Sequence, residues 1–334
     1  MKAVLIGCGN ISRVHLAALD AMEDVTVAAV ADCIPERAET AAKAHGCRAY
    51  CDYIEMLDTE RPDVVHICTP HHLHVDMACE ALERGANVLC EKPCAITKES
   101  LERLRAAQTK SGRVCGVCFQ NRYNAGALLA KKLLEEKTCG RLLAAAAHVL
   151  WCRGADYYSD GWHGKKAKEG GGVLVNQAVH TVDLLRFLVG ADMASCTAHI
   201  ANDHLQGVIE VEDTALVRMR YENGITAQLD ATVAFPCNAK VLIDLICENA
   251  TLRLEGAELY RIGPDGTAEK LTEQVQNATV GKDYWGGGHP ALFHDFYACV
   301  RAGRPFAIDF YDGGKATEDF LRFYEAAKQP DCGK

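Results

Sequence analysis

Two stretches of this chain carry side chains whose types and spacing could do proton chemistry. The first is Glu91-Lys92-Pro93, which follows the apolar run Asn87–Cys90. A lysine at the end of a buried strand, with its backbone restricted by the next proline, can stabilise charge developing on an oxygen. It can also exchange a proton if its surroundings lower its pKa. The bland alternative is a solvated surface lysine. The place after a strand end, where ligands meet parallel sheets, favours function. The second stretch is Glu169-Gly-Gly-Gly-Val-Leu-Val-Asn-Gln-Ala-Val-His-Thr-Val-Asp183. Three glycines open a helical pattern over about 172–189, packed through Leu174, Val175, Val179, Val182 and Leu185. Asn176, His180 and Asp183 stand at i, i+4 and i+7, on one face of a continuous helix. A polar stripe on an apolar helix needs partners. His180 is therefore either a core histidine bonded to Asp183 or a general base suited to neutral pH, and the presence of Lys92 favours the base.

A third stretch points to a nucleotide. Ala3–Ile6 is an apolar run, Gly7, Gly9 and Ser12 follow as Gly-x-Gly-x-x-small, and Ile11, Val14, Ala18 and Met22 then repeat at helical spacing. Strand, tight turn and helix in that order form a dinucleotide cradle. Gly7 makes the turn, Gly9 lets a pyrophosphate approach the backbone, Ser12 allows close helix packing, and the helix N-terminus attracts the phosphates. Asp32 ends the next apolar run, 20 residues past Ser12, where an acid can bind ribose hydroxyls. That acid repels a 2′-phosphate, so NAD is expected over NADP. Arg37 lies nearby on the following helix.

The elements that must position these groups fall into two patterns. Up to about residue 120, short apolar runs alternate with helical segments, the rhythm of a parallel sheet wound on both faces. Beyond it, long alternating runs dominate. In 225–235, Ile225, Ala227, Leu229, Ala231, Val233 and Phe235 alternate with polar residues, and Asn223-Gly224 marks a hairpin. The expected fold is α/β: an N-terminal Rossmann doubly wound parallel sheet over 1–120, then an α+β domain with a large, mostly antiparallel sheet over 121–334. Helices are expected over 290–302 and 313–328.

Bulk properties narrow the function. The 334 residues carry a net charge of −9, which argues against nucleic acid as a partner. No apolar run reaches the length of a membrane span, and the start shows no signal-peptide pattern, so a cytoplasmic protein is expected. Many of the 17 cysteines lie inside apolar runs and read as small hydrophobes in a reducing compartment. Cys115 and Cys118 fall in a strand pattern that points them to opposite faces, so they do not read as a redox pair. His71, His72 and His74 lack a closed four-ligand spacing, and no metal is expected.

Taken together, Gly7 to Ser12, Thr69-Pro70 with His74, Glu91-Lys92-Pro93, Gln120-Asn-Arg-Tyr123, Trp162 ahead of Gly170-Gly-Gly172, and Asn176 with His180 and Asp183 resemble the Gfo/Idh/MocA oxidoreductase family. The resemblance runs through essentially the whole chain. It implies a nicotinamide enzyme acting on a secondary alcohol or ketone of a sugar, polyol or inositol-like compound, with Lys92 and His180 as its catalytic residues. The family often has Asp where this chain has Asn176; an amide cannot take a proton but can orient a hydroxyl. On the cofactor side the resemblance and the strand-end turns imply Gly7, Gly9, Asn10, Ile11, Asp32 and Arg37, then Thr69, Pro70, His74, Glu91 and Lys92, with Arg122 and Trp162. On the substrate side they imply Lys92, Tyr157, Trp162, His163, Asn176, His180 and Tyr284, and Arg122, Tyr158 and His289 are further lining candidates. The leading reading is an NAD-dependent dehydrogenase. A redox-neutral, NAD-dependent glycoside hydrolase and a non-catalytic NAD-binding regulator are the alternatives. A homodimer or homotetramer is expected from the open sheet.

Overall fold

The computed structural model describes residues 1–272 and 287–328, and the chain divides into two compact units. The first takes residues 1–120 together with His289–Gly314. The strands are β1 (Lys2–Ile6), β2 (Thr26–Ala31), β3 (Arg48–Tyr50), β4 (Val64–Ile67), β5 (Asn87–Cys90) and β6 (Cys115–Val117). They pair in parallel in the order β3-β2-β1-β4-β5-β6, which is the doubly wound arrangement. Ala3, Val4, Leu5 and Ile6 are at most 2% exposed, as a strand covered on both faces requires. The connecting helices are α1 (Ser12–Asp20), α2 (Pro35–His45), α3 (Tyr53–Glu60), α4 (His74–Glu83) and α5 (Lys98–Ser111). Thr97 and Ser100 form a capping box on α5, and Asp52 caps α3, an element the sequence pattern did not reveal.

The return of 289–314 departs from the expected division at residue 120. Phe296 and Phe306 pack against Gly116, where a Cβ would come within 2.9 Å of each ring. Gln108 of α5 holds the same segment, donating to Asp309 at 2.7 Å and accepting from the Phe310 N–H at 3.0 Å. Burial of these aromatic rings explains why the segment joins the first unit.

The second unit holds an eight-stranded sheet: β7 (Leu142–Leu150), β8 (Met193–Ala201), β9 (Thr214–Tyr221), β10 (Thr226–Thr232), β11 (Leu242–Cys247), β12 (Thr251–Glu255), β13 (Glu258–Ile262) and β14 (Ala268–Lys270), in the order β14-β13-β12-β11-β7-β10-β9-β8. Every pair is antiparallel except β10 with β7. The β9–β10 turn is the expected hairpin, with Gly224 at φ +86°. One face of the sheet is buried through Ala215, Val217, Ala227, Leu229, Ala231, Ile243 and Leu245. The other exposes Leu216 (50%) and Ile246 (41%). The unit's helices are α6 (Ala125–Glu135), α7 (Lys166–Glu169), α8 (Val173–Asn176), α9 (Val179–Val189) and α11 (Gly314–Ala327); α10 (His289–Ala302) belongs to the first unit.

The helix expected over 172–189 is two helices. The Ala178 N–H reaches back five residues to Val173 O at 2.7 Å, a widened turn, and α9 begins after it.

Candidate active site

The glycine turn is built for an anion. Gly7 has φ +93°, and a Cβ there would meet the Cys68 carbonyl and Thr69 at 2.8 Å. A Cβ on Gly9 would meet no atom within 4 Å, so packing within the chain does not demand that glycine. Ser12 closes the turn through Oγ to Gly9 O at 2.6 Å. Neither the Ile11 side chain nor any acid in the first turn caps α1, which leaves its N-terminal N–H groups for a ligand. Asp32 braces the turn, accepting from the Cys8 N–H at 2.7 Å and the Ile34 N–H at 2.9 Å. A carboxylate with two such bonds keeps capacity for ribose hydroxyls. Burial, and then the charge of Asp32, pushes the Cys8 thiol up to about 12, so it is inert. Open space at Gly9, an uncapped helix and a placed acid fit a dinucleotide. Asn10 and Arg37 are exposed beside this turn, and Ile11 is partly so.

At the carboxyl ends of β4 and β5 the residues divide. Thr69, Pro70 and Lys92 are partly exposed. His74 and Glu91, both expected on the cofactor, turn inward instead. His74 is 0% exposed and sets Nδ1 2.8 Å from Pro93 O and Nε2 2.7 Å from Thr69 O, tying the two strand-end turns together. Two carbonyls favour the doubly protonated ring; burial opposes it and prevails, keeping the pKa below the usual range. Glu91 is 6% exposed and bonds to His15 Nε2 at 2.9 Å. Its engagement of a buried imidazole explains the inward turn. His289, a lining candidate, also lies inside the first unit: it is 3% exposed, its ring centroid stands 6.3 Å from that of His15, and burial lowers its pKa to about 4. One ligand atom each from His15, Glu91 and Cys118 falls within 4.8 Å, but the His15–Glu91 hydrogen bond already joins two of the three. All described cysteines are free thiols.

In the second unit the informative segment is 171–185. Every residue of it is buried except Asn176 and His180, which are partly exposed. Asn176 donates through Nδ2 to Glu169 Oε1 at 2.6 Å and to the Tyr157 hydroxyl at 3.1 Å. Glu169 is 1% exposed, and its other oxygen accepts the Gly164 N–H at 2.5 Å. Burial, and then Glu169, raises the Tyr157 hydroxyl to about 12, so it stays protonated. Tyr157, His163 and Trp162 form a ring cluster, with centroids 4.5 Å apart for the first pair and 3.7 Å for the second. His163 is oriented by Asp160 at 2.6 Å. Tyr158 packs with Ile209 and Val211 instead of lining a site.

Asp183, the last residue of the polar stripe, pairs with an arginine. It is 1% exposed and takes a two-pronged hydrogen bond from Arg122, with Nε at 2.7 Å from Oδ2 and Nη2 at 2.5 Å from Oδ1. Arg122 is thus bound to α9; a buried guanidinium needs such a carboxylate. The glycine triplet has an internal cause as well. A Cβ on Gly172 would fall 1.9 Å from Glu212 O, and one on Gly171 1.9 Å from the Tyr324 hydroxyl. The buried Glu212 carboxylate accepts from the N–H groups of Gly172 (2.9 Å) and Leu174 (3.0 Å) and from Tyr324 (2.8 Å). Glu169 and Glu212 went unread in the sequence. Glu169 stood in view at the head of the glycine triplet, but nothing local signalled Glu212. Tyr284 lies outside the described residues.

A Rossmann unit with an uncapped phosphate turn, and a second unit with a polar segment and a mixed sheet, define a dinucleotide-binding oxidoreductase architecture. Residues 1–119 match the oxidoreductase family model with an NAD-binding Rossmann fold, and 127–253 match the GFO/IDH/MocA C-terminal domain. The chain belongs to the Gfo/Idh/MocA oxidoreductase family. It is 27% identical to inositol 2-dehydrogenase 2 of Saccharopolyspora erythraea over 91% of this chain and 85% of that protein. It is 31% identical to levoglucosan dehydrogenase of Pseudarthrobacter phenanthrenivorans over 68% of this chain and 66% of the other. The WlbA dehydrogenase of Bordetella pertussis, crystallised with NADH and UDP-GlcNAcA, superposes with a TM-score of 0.85 at 29% identity, covering 98% of this chain and 97% of that one.

Proposed function

We propose that this protein is an NAD-dependent dehydrogenase of a cyclic secondary alcohol, a sugar or polyol, with Lys92 and His180 as its proton-handling residues. The observation that carries the reading is the pair of openings at Asn176 and His180 in the otherwise buried segment 171–185. Relatives named for inositol and levoglucosan, both polyhydroxylated rings, support the substrate class. NAD, when bound, supplies the hydride acceptor. Of Lys92 and His180, one takes the hydroxyl proton while the other stabilises the oxyanion that develops. Asn176, held by Glu169 and Tyr157, orients a substrate hydroxyl. Trp162 and His163 offer ring faces to a sugar. Leu216 and Ile246 on the outer sheet face support association into a homodimer or homotetramer, and dispersed free thiols suit a reducing cytoplasm.

The test is a panel of inositols, free sugars, polyols and aryl glycosides with NAD⁺, followed at once for NADH absorbance and aglycone release. Stoichiometric NADH from a free polyol or sugar is expected. Aglycone release with no net NADH would replace the dehydrogenase by a redox-neutral hydrolase.

A further inference from the structure

Buried hydrogen bonds in the first unit run in one line from α10 to the Glu91–Lys92 corner. The Tyr297 hydroxyl lies 3.0 Å from His66 Nε2, His66 Nδ1 lies 2.9 Å from His15 Nδ1, and His15 Nε2 lies 2.9 Å from Glu91 Oε1. Glu91 Oε2 accepts the Lys92 backbone N–H at 3.3 Å. Tyr297, His66 and His15 are each 0% exposed. None of the three is called on to hold a dinucleotide.

The protons on this line are fixed by what each atom can do. A carboxylate only accepts, so His15 Nε2 carries a hydrogen. Burial, and then the neighbouring His15, holds His66 well below the usual imidazole range, so His66 is neutral. With the hydrogen between the two Nδ1 atoms on His66, His15 Nδ1 accepts it. His66 Nε2 then accepts from the Tyr297 O–H. The line ends on Glu91 with a donor aimed at it.

We propose that His15 is a positioning residue for Lys92: it keeps the buried Glu91 carboxylate ionised, and that charge holds the Lys92 side chain as an ammonium. The inference rests on the reading of Lys92 as a residue that handles charge at the substrate oxygen. Burial alone would drive Glu91 to take up a proton. The His15 hydrogen bond, together with the Lys92 cation next in the chain, brings its pKa below the ordinary carboxylate range instead. The other groups facing it are silent at neutral pH. Burial lowers His289 to about 4, His74 and His66 lie below their usual range, and the Cys68, Cys90 and Cys118 thiols are pushed up. Glu91 and Lys92 remain as the charged pair at this corner.

The charge on Lys92 is read without any substrate, by competitive acetylation of the full chain between about pH 6 and pH 11, with peptide mass spectrometry and Lys43 as internal reference. Glu91→Gln and His15→Asn are each expected to lower the Lys92 midpoint by about one pH unit, roughly a tenfold gain in reactivity below it, with Lys43 unmoved. An unchanged Lys92 midpoint in either variant overturns the proposal. Because a buried variant can fail to fold, ¹⁵N spectra of the wild-type protein supply a second arm. They are expected to show His66 protonated at Nδ1 and bare at Nε2; the reverse tautomer also overturns it. If the substrate panel yields no NADH while both arms behave as expected, the function reading has failed and the electrostatic link has not.

Discussion

Two glycine-rich turns open helices in this protein, and they do opposite things. At Gly7–Ser12 the helix start is uncapped, and a Cβ on Gly9 would meet no atom within 4 Å. At Gly170–Gly172 the start of α8 is closed by the buried Glu212 carboxylate, and Gly171 and Gly172 touch Tyr324 and Glu212. Both turns look alike as sequence. What separates them is whether the chain supplies its own anion to the helix N-terminus. An uncapped start invites a ligand. A start capped from inside is a way to bring a strand and a helix close, and here it fixes the segment carrying Asn176 and His180.

The largest difference should appear on adding a methyl group at each turn. Gly172→Ala puts a Cβ against a backbone carbonyl that cannot swing aside, and should cost about 3 kcal/mol or more, enough to abolish folding of the second unit. Gly9→Ala should leave the melting temperature unchanged. Thermal unfolding followed by circular dichroism checks both, and a stable Gly172→Ala protein would mean that the second turn is not internally packed.

Next in size is His180→Ala, which should lower kcat by roughly a hundred- to ten-thousand-fold while NAD still binds in fluorescence titration. Near-normal turnover would make the segment held by Glu212 purely structural.

The acids inside the two units offer a further contrast. Glu91 is held below the ordinary range because an imidazole meets it, whereas Asp319 is pushed up to about 7 by burial, against the pull of Arg186 and Arg322. An unfolded Asp ionises near about pH 4, so between these values the native state holds the extra proton. Stability from this group is present at low pH and is lost as pH rises through about 7. Denaturant unfolding should show a decline of about 4 kcal/mol across that window that is absent in Asp319→Asn.

The smallest effects concern cofactor affinity. Gly9→Ala and Asp32→Ser should each weaken NAD binding by about tenfold, and Asp32→Ser should also erase the preference over NADP. Calorimetric titration of both cofactors decides this; an unchanged Kd for Gly9→Ala would remove the phosphate from that turn.

Much of the architecture was legible because it is local. Alternating short apolar runs and helical spacing are enough to imply a doubly wound sheet, and Asn223-Gly224 is enough for its hairpin. Gly7, Gly9 and Asp32 stand in the order a nucleotide turn needs within one strand–helix–strand unit. Side-chain partnerships were not legible. The i, i+4, i+7 stripe assumed an unbroken helix, but a widened turn at Ala178 separates Asn176 from the residues that follow, and Asp183 pairs with Arg122. His74 and Glu91 carried the right motif and turned inward.

The sequence by itself determined the strand order's rhythm, the glycine turn, the acid that follows it and the positions of Lys92 and His180, because each depends on spacing within a few turns of chain. Only the tertiary structure decided that 289–314 returns to the first unit, that Glu212 closes a helix 40 residues earlier in the chain, and that His15 meets both His66 and Glu91. A buried polar group must find a partner wherever the folded chain brings one, and that demand reaches across any sequence distance.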